Sequence, residues 1–314
     1  SRSPAPFSGL YPGDCQGLAL AAETDSNVFI SGESGTGKGL VAKALHQLSE
    51  RKNKPFVPIN CAAIPATLLE SELFGFEKGA FTGAIANKKG LFVQADGGII
   101  FLDEISEIPP PMQGKLLKAL EEKEFYPLGS HRTAKVDVRI VSASNKDIEK
   151  EVEKGTFRGD LFYRVHVIPI RVPTLRERKE DIPLLVEHFL DKVARKLKRS
   201  IKGLSPAALQ KLMIYSWPGN VRELENMIEC AVVMTPEEII PEEMIILPGQ
   251  ELGETAFKTL KVSKQDFEKN YLIQLMKISR GNVSQASKLA GKYRADLYEL
   301  LEKYRINPLD FRQE

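Results

Sequence analysis

Cysteine and histidine are scarce in this sequence, and the few present do not cluster. The 314 residues include three cysteines, Cys15, Cys61 and Cys230, which lie far apart along the chain. None of the four histidines has the spacing of metal ligands. The pattern therefore excludes a disulfide framework, a cysteine–histidine metal site and a paired redox motif. We interpret the three cysteines as reduced, buried residues of a cytoplasmic protein.

Long apolar runs and a strong charge of one sign are also missing. No run approaches the ~18 apolar residues of a membrane span, and the first residues form no signal-peptide pattern. Lys and Arg number 44 against 42 Asp and Glu, so the net charge is only +2. The whole chain is therefore not a polyanion binder, and any basic surface must be local. The length predicts about two or three domains of a soluble globular protein.

Glycine is concentrated in one stretch, GESGTGKG, between a short apolar run at 28–30 and a helical pattern at 40–45. Strand, glycine-rich loop and helix are the context of a phosphate-binding loop, whose backbone N–H groups surround the phosphates. Lys38 is placed to reach the β- and γ-phosphates of ATP. An ordinary glycine-rich turn is the alternative. The predicted nucleotide-binding residues here are Gly32, Glu33, Ser34, Gly35, Thr36, Gly37, Lys38 and Gly39.

The position after the lysine bears on the metal. The usual loop has Ser or Thr there, and its hydroxyl binds Mg²⁺. Because Gly39 follows Lys38, Mg²⁺ must be held by phosphates, water and a carboxylate elsewhere, or held weakly. A buried strand predicted over 97–104 ends in two acids, Asp103 and Glu104. Asp103 is placed to hold Mg²⁺, directly or through water, and Glu104 to orient and deprotonate an attacking water.

Two asparagines follow other predicted strands. Asn60 ends the strand predicted at 56–60, and Asn145 lies at the end of the strand predicted to begin at 136 and to end at 142–145. Continuous apolar strands predict an α/β fold with a parallel sheet covered on both faces. Ligands of such a sheet bind at the carboxyl ends of its strands, so both asparagines are candidates for the same site. The alternatives are a helix cap for Asn60 and a turn cap for Asn145.

A second glycine-rich stretch, ELFGFEKGAFTGA, spans residues 72–84. Its glycines disfavour a helix and favour a loop, at whose tip Phe81 has little reason to be for folding alone. A tight turn with Phe81 in the core is the alternative. Together with GESGTGK, this stretch resembles the AAA+ domain of sigma-54-dependent transcriptional activators, also called bacterial enhancer-binding proteins.

The resemblance implies a function for the second glycine-rich loop. In the family this loop contacts the sigma-54 factor and couples ATP hydrolysis to remodelling of the closed promoter complex. Family members generally lack the hydroxyl at the position of Gly39, so its absence here is no obstacle to that function. The implied contact residues are Gly79, Ala80, Phe81, Thr82, Gly83 and Ala84.

The same resemblance implies roles around the nucleotide. Asp103 and Glu104 match the Walker B motif, and Asn60 matches the residue that restrains the catalytic glutamate. Asn145 matches the sensor I residue near the γ-phosphate. Arg222 matches sensor II, which reaches the nucleotide from a helical lid.

Two arginines six residues apart, Arg158 and Arg164, match the arginine fingers of the family. An arginine finger stabilises charge on the transferring phosphoryl group of a neighbouring subunit. Within one chain these arginines could instead pair with nearby acids such as Asp160. As fingers, they predict a homo-oligomer, from dimers to a hexameric or heptameric ring.

The last fifty residues predict a separate helical module. Helices at 264–279, 282–290 and 294–304, with a turn at 291–293, form the pattern of a helix-turn-helix. Residues 276–305 carry seven Lys and Arg against three Asp and Glu, which favours phosphates. The module resembles the Fis-type DNA-binding domain of these activators, although a three-helix bundle can be purely structural. Its candidate DNA contacts are Asn282, Ser284, Gln285, Lys292, Arg294 and Tyr298.

The predicted architecture has four parts. They are an AAA+ α/β nucleotide-binding subdomain (1–173), a helical lid (174–247), a linker (248–262) and the helix-turn-helix domain (263–314). The predicted function is that of an ATP-hydrolysing cytoplasmic activator that binds double-stranded DNA upstream and remodels sigma-54 RNA polymerase holoenzyme. A receiver or ligand-sensing domain is expected before residue 1, and a two-component system is the expected context. Another AAA+ machine, or a DNA-binding repressor with an inactive nucleotide domain, is the alternative.

Overall fold

A computed structural model describes residues 12–247, 268, 271–304 and 306–311 of the chain. It divides into two compact units, Ser1–Leu247 and Pro248–Glu314. The predicted linker at 248–262 lies outside the described residues. No helix among the described residues is long and apolar enough to cross a membrane.

The first unit alternates helices and strands as far as residue 171 and is mainly helical after it. Its helices are α1 (Pro12–Ala22), α2 (Lys38–Leu48), α3 (Ala66–Phe74), α4 (Leu91–Gln94), α5 (Pro110–Glu122), α6 (Ile148–Glu153), α7 (Gly159–Val165), α8 (Ile182–Leu197), α9 (Pro206–Ile214) and α10 (Asn220–Met234). Its strands are β1 (Val28–Ser31), β2 (Phe56–Asn60), β3 (Gly75–Phe76), β4 (Lys88–Lys89), β5 (Ile99–Asp103), β6 (Glu124–Phe125), β7 (Ala134–Lys135), β8 (Arg139–Ser144), β9 (Ile168–Arg171), β10 (Gly203–Leu204) and β11 (Ile239–Ile240).

Five strands form one parallel sheet in the order β2-β5-β8-β1-β9. Apolar clusters cover both of its faces, which explains why β5 is continuously apolar. In register, Asn60 pairs with Asp103, and Ser31 pairs with Ser144. Parallel pairing therefore brings the polar ends of these strands to one edge of the sheet. This arrangement confirms the predicted α/β class.

The strand predicted to begin at 136 begins later: β8 spans Arg139–Ser144. Side chains explain the later start, because they take the backbone groups of Asp137 out of the ladder. Arg51 donates to the Asp137 carbonyl at 3.0 Å, and Asp96 accepts from its N–H at 2.8 Å. The strand ends at Ser144, directly before Asn145, which agrees with the predicted end at 142–145.

The helical lid packs around Trp217, whose side chain is fully buried and donates to the Leu212 carbonyl at 2.9 Å. Ser205 caps α9 by accepting from the Ala208 N–H, as its position before a proline indicated. After α10, β11 pairs with β10, and Ile240 is buried in the same core. The lid therefore continues past its last long helix.

The described residues of the second unit are mainly helical. Residues 271–278 form α11, followed by α12 (Val283–Leu289) and α13 (Arg294–Lys303). The left-handed residue Gly291, with φ of 61°, makes the turn between α12 and α13. Apolar residues of all three helices share one core, which includes Met276, Ala286 and Leu297. The order and spacing match the predicted helix-turn-helix.

Candidate nucleotide-binding site

The loop between β1 and α2 curves around the first turn of the helix. Gly35 and Gly37 have φ of 79° and 104°, the left-handed region that glycine adopts without strain. Thr36 is buried and closes the loop internally, since its hydroxyl donates to the Glu33 carbonyl at 2.8 Å. A Cβ on Gly39 would meet only a Phe101 ring carbon at 3.8 Å, so local packing has room for a larger residue there.

Lys38, the first residue of α2, is buried beneath this loop. Its ammonium donates to the Gly32 carbonyl at 2.9 Å and lies 3.5 Å from a carboxylate oxygen of Glu104. The other Glu104 oxygen accepts from the Asn145 backbone N–H at 3.0 Å. Glu104 thus joins the phosphate-binding loop to the end of β8.

Glu104 also has an unusual backbone. Its φ of 53° is left-handed, a conformation that costs free energy for any residue other than glycine. Such conformations are common at functional sites, where the surrounding structure enforces them. Here the turn after β5 aims the carboxylate back across the edge of the sheet toward Lys38.

Asp103 is partly buried, as Glu104 is. One of its oxygens lies 3.4 Å from the Asn60 amide nitrogen, and the other is buried without a hydrogen-bond partner among the described residues. Burial, and after it the adjacent Glu104 carboxylate, raise the pKa of Asp103, although Lys38 acts in the opposite direction. A buried carboxylate oxygen with no donor has the chemistry of a ligand for a hard cation such as Mg²⁺.

Asp103 would not hold a metal ion alone. Among the described residues, no three His, Cys, Asp or Glu side chains are grouped to hold one. Mg²⁺ commonly takes one or two carboxylates together with phosphates and water. The donor set therefore fits Mg²⁺ that arrives with a nucleotide.

The two asparagines differ from their expected contacts. The Asn60 amide faces Asp103 rather than Glu104, and its oxygen accepts from the Ala62 and Ala63 N–H groups at 2.9 and 3.1 Å. Asn60 therefore caps the turn after β2 and not a helix, since α3 begins at Ala66 after Pro65. Asn145 contacts Glu104 through its backbone, and its side chain is exposed.

The lid supplies one wall of the site. Arg222, in the first turn of α10, donates to the Ser34 hydroxyl at 3.1 Å. It lines a cleft of about 320 Å³ between the phosphate-binding loop, the end of β5 and α10. That size is within the range of small-ligand sites. The predicted site residues that line the cleft are Ser34, Gly35, Gly37, Lys38, Gly39, Asn60, Asp103, Glu104 and Arg222.

The two predicted arginine fingers lie away from this cleft. Arg158 precedes α7 and forms a bidentate pair with Asp160, at 3.1 and 2.7 Å. Arg164 donates to the Leu120 carbonyl at 3.2 Å. The pairing with Asp160 that the sequence left open is thus the one present in a single chain. Arg158 is about half exposed and its partner is also exposed, so such a pair is weak.

The second glycine-rich loop projects between β3 and β4, which pair as a hairpin. Gly79 and Gly83 both have positive φ, and the Gly79 N–H donates to the Ala84 carbonyl at 2.9 Å. Phe81 is 43% exposed and lies edge-on to Phe76, with ring centroids 5.0 Å apart. Phe81 is therefore outside the main core, and the alternative of a core position is wrong.

A neighbouring loop, which the sequence did not single out, supports the base of this one. The Glu77 N–H donates to the Leu128 carbonyl at 3.0 Å, and the Ser130 hydroxyl donates to the Glu77 carboxylate at 2.7 Å. A Cβ on Gly129 would come within 2.7 Å of Ala80. Only a glycine allows this close approach. The glycine at position 129 is therefore the sequence signal that could have revealed the contact.

The helix-turn-helix residues divide into two groups. Asn282 caps α12, since its oxygen accepts from the Ser284 and Gln285 N–H groups. That oxygen is therefore occupied by a structural role. Arg294 begins α13 and lies over the exposed Tyr298 ring, 5.7 Å from its centroid. The side chains of Ser284, Gln285 and Lys292 are exposed.

One cysteine prediction is wrong. Cys61 is buried, and burial raises the pKa of its thiol to about 12, helped by Asp103 and Glu104. Cys230, however, is exposed on α10. The side chain of Cys15 lies outside the described residues. Helical periodicity places position 230 on the outer face of α10, next to the buried positions 228 and 231.

A parallel sheet, a phosphate-binding loop, an acidic pair after a central strand and an arginine from a helical lid define an AAA+ nucleotide-binding protein. A family model for the sigma-54 interaction domain matches residues 14–171, and one for the AAA+ ATPase lid domain matches residues 176–256. The chain belongs to the family of sigma-54-dependent transcriptional regulators.

Similar proteins agree with this membership. The transcriptional regulatory protein GlrR of Escherichia coli (strain K12) is 45% identical over 296 residues, covering 94% of this chain. ZraR of Salmonella typhimurium (strain LT2) is 46% identical over 290 residues, covering 91% of this chain. The chain spans 66% and 65% of the lengths of these two relatives.

Solved structures of NtrX from Brucella abortus have the same fold. The complex with ADP has a TM-score of 0.73 and 34% identity, and covers 97% of this chain and 70% of that one. The complex with ATP has a TM-score of 0.71 and 34% identity, and covers 96% and 69%. The predicted membership of the family is confirmed.

The raised pKa of Asp103 predicts opposite effects of Asp103→Asn on stability and on activity. A raised carboxyl pKa means that the folded state disfavours the ionised form, so ionisation destabilises the protein at pH 7. Asp103→Asn should therefore raise the free energy of unfolding without nucleotide, and this gain should shrink as the pH falls through the raised pKa. Urea unfolding at pH 7 and pH 4.5 measures it.

The same variant should lose the response to metal. ATP turnover should fall on the order of 100-fold or more, because the carboxylate that would share Mg²⁺ with the phosphates is gone. The exposed Glu237→Gln is a control that should change neither quantity. A variant less stable than wild type at pH 7, or one with full Mg²⁺-dependent turnover, would contradict the assignment of Asp103.

Proposed function

We propose that this chain is an ATP-hydrolysing transcriptional activator that binds DNA upstream and uses its Gly79–Ala84 loop to remodel sigma-54 RNA polymerase holoenzyme. One observation carries the proposal: the chain path joins the nucleotide cleft to the exposed loop at both of its ends. From Asn60 the chain enters α3 and then the loop, and it returns through α4 to β5, which ends at Asp103. The loop and the two strand ends thus belong to one continuous stretch of chain, residues 60–103.

ATP binding would rearrange the residues at the centre of the cleft. The backbone N–H groups of the phosphate-binding loop and Lys38 would hold the phosphates. Mg²⁺ that comes with ATP would neutralise charge between the β- and γ-phosphates and be held by Asp103. Lys38 is paired with Glu104 in the free protein, so a phosphate that engages Lys38 releases the carboxylate. Glu104 would then accept the proton of the attacking water.

Hydrolysis in this proposal requires a neighbouring subunit. Arg158 directly precedes α7 and Arg164 lies on it, both outside the cleft of their own chain, and the Arg158 guanidinium forms an exposed pair with Asp160. An arginine that leaves such a pair loses little and gains a stronger, bidentate contact with a phosphate. We therefore propose that the active form is a homo-oligomer, a dimer that assembles into a hexameric or heptameric ring.

Arg158→Ala should reduce ATP turnover about 1,000-fold or more, since an arginine finger supplies roughly that factor. Arg158→Lys should not restore turnover, because lysine has no planar fork. Phosphate release against protein concentration measures both variants. Arg195→Ala is the matched control, because Arg195, like Arg158, is exposed and paired with a nearby acid, here Asp191. This substitution should leave ATP turnover unchanged.

Mixing two inactive variants tests whether the finger acts between subunits. In a mixture of Arg158→Ala with Glu104→Gln, some interfaces combine an intact Glu104 with an intact Arg158 from the neighbour. Turnover should therefore reappear in the mixture, although each variant alone is inactive. A mixture that stays inactive while the two chains co-assemble would reject a shared active site.

The sigma-54 contact is assigned to the tip of the loop. Phe81 is half exposed and Thr82 is exposed, while the loop base is fixed by backbone hydrogen bonds. Side chains that project from a fixed base onto the surface are suited to a partner protein. The sigma-54 interaction domain that the chain contains supports this assignment.

Thr82→Ala should keep ATP turnover within about twofold of wild type, because surface substitutions away from the cleft have small effects. The same variant should lose binding to purified sigma-54 in the presence of ADP and a γ-phosphate transition-state mimic, measured by native gel shift. Ile214→Ala, an exposed apolar residue on the lid, should retain both properties. Sigma-54 binding that survives Thr82→Ala and Phe81→Ala would remove the loop from the interface.

DNA binding is assigned to the second unit, by its second and third helices. The first residues of the second helix of such a motif commonly face base edges, and here these are Arg294 and its neighbours. The helix α13 carries two basic and three acidic residues, so its own charge does not favour phosphates. Base contacts from Arg294, rather than bulk charge, would then carry sequence preference. A cytoplasmic location is part of this proposal, because DNA and polymerase are the partners.

Arg294→Ala should weaken binding about tenfold or more on duplexes that the wild-type chain selects from a random pool, the range of one base-reading arginine. Lys303→Ala, at the far end of α13 where Lys303 pairs with Glu268, is the control and should change binding little. Fluorescence anisotropy at fixed salt measures both. A wild-type chain that selects no sequence would contradict this part of the proposal.

A further inference from the structure

The outward-facing carbonyl groups of the phosphate-binding loop are occupied by donors from the lid and from the segment that leads to it. The Ser34 carbonyl accepts from the Asn220 amide at 3.1 Å. The Gly35 carbonyl accepts from the Val221 N–H at 3.0 Å. The Thr36 carbonyl accepts from the Arg178 guanidinium at 2.9 Å. Three successive peptide groups of the loop are thus held from outside.

Holding a carbonyl fixes the N–H group on its other side. In a trans peptide the carbonyl and the following N–H point in opposite directions. A Ser34 carbonyl that faces Asn220 therefore turns the Gly35 N–H toward the cleft, and a Thr36 carbonyl that faces Arg178 does the same for Gly37. Gly35 and Gly37 both line the cleft. The inward N–H groups are those that would bind phosphate.

Asn220 makes the most connections of these donors. Its side chain is fully buried, and its oxygen accepts from the Leu175 N–H at 2.9 Å. Its amide nitrogen donates both to the Ser34 carbonyl and to the Glu33 carboxylate, each at 3.1 Å. A buried amide left without these partners would be costly, so the arrangement is specific. One side chain thus connects the loop, the start of the lid and α10.

The backbone of Asn220 fits the same role. Its φ of 53° is left-handed, which asparagine tolerates better than most residues. That conformation starts α10 directly against the loop, and a Cβ on Gly35 would collide with the Gly219 carbonyl. Two residues later, Arg222 reaches the Ser34 hydroxyl. The position of Asn220 against the loop therefore also determines where Arg222 lies.

We propose that Asn220 is a positioning residue for nucleotide phosphates, which holds the Gly35 N–H toward them and seats Arg222 at the cleft. The inference rests on the proposed nucleotide site and names a residue that acts on it without touching the nucleotide. Its essential property is the amide donor, since the oxygen serves only the Leu175 N–H.

Two substitutions at Asn220 separate a donor role from a packing role. Asn220→Asp keeps the shape and the acceptor for Leu175 but replaces the donor by a carboxylate that faces Glu33. Asn220→Gly accepts the left-handed backbone and lets water reach the loop carbonyl. A donor role predicts that Asn220→Asp weakens binding of a fluorescent ADP analogue about tenfold or more. It also predicts that Asn220→Gly weakens binding less than Asn220→Asp does.

A packing role predicts the opposite order, because the glycine variant leaves a cavity and the aspartate variant does not. Thermal unfolding without nucleotide is measured on the same samples. A packing role predicts that the glycine variant is no more stable than the aspartate variant. Weaker ADP binding by Asn220→Gly than by Asn220→Asp would therefore overturn the proposal.

A second substitution provides a rescue. Glu33→Gln combined with Asn220→Asp removes the like-charge contact and returns a donor between the two positions, so ADP binding should recover at least threefold over Asn220→Asp alone. Arg176→Gln is the control: Arg176 pairs with the same Glu33 carboxylate at the surface, and its loss should change affinity less than about twofold. A double variant no better than Asn220→Asp would overturn the proposal.

The readout distinguishes this inference from the proposed function. ATP turnover of the wild-type 314-residue chain is measured beside ADP binding. If the wild-type chain binds ADP but does not turn over ATP, the ATPase proposal fails. The ADP affinities of the Asn220 variants still decide whether Asn220 is a positioning residue. If the wild-type chain turns over ATP but Asn220→Asp binds ADP with wild-type affinity, the inference fails alone. A wild-type chain that binds no nucleotide rejects both.

Discussion

Parallel pairing of β2 with β5 puts Asn60 beside Asp103, and the pairing of β5, β8 and β1 continues the same edge to the phosphate-binding loop. Every polar group of the nucleotide cleft in the α/β subdomain depends on this register. A slip of one residue would turn Asp103 to the other face of the sheet and remove it from Lys38. Apolar cover on both faces enforces the register, because no strand can shift without exposing its core residues.

Charged groups are concentrated at that edge of the sheet. Two adjacent acids, one buried lysine and one lid arginine lie within a single cleft. Burial and mutual repulsion raise the pKa of Asp103, while Lys38 pairs with Glu104 across a left-handed turn. A nucleotide with its metal supplies the opposite charges to each of these groups.

The lid is part of the nucleotide site, because it contacts the phosphate-binding loop directly. Its backbone and side-chain donors occupy the carbonyl side of the phosphate-binding loop, while the N–H side remains for phosphates. These contacts connect the loop directly to α10 through Asn220 and Val221. The exposed Gly79–Ala84 loop is tied to the other side of the cleft through α3 and β5. The lid and the exposed loop are thus both connected to the cleft that contains Lys38.

Sequence alone determined the local features with a strict chemistry. Glycine spacing and Lys38 predicted the phosphate-binding loop, the apolar run before Asp103 predicted β5, and the resemblance led to the family that the comparisons confirmed. Tertiary structure decided what depends on distant partners. Asn60 faces Asp103 and not Glu104, β8 starts late because Arg51 and Asp96 bind Asp137, and Asn220 reaches the loop across 186 positions of sequence. A short-range pattern fixes backbone geometry, whereas the partner of a buried polar group is set only when the chain folds.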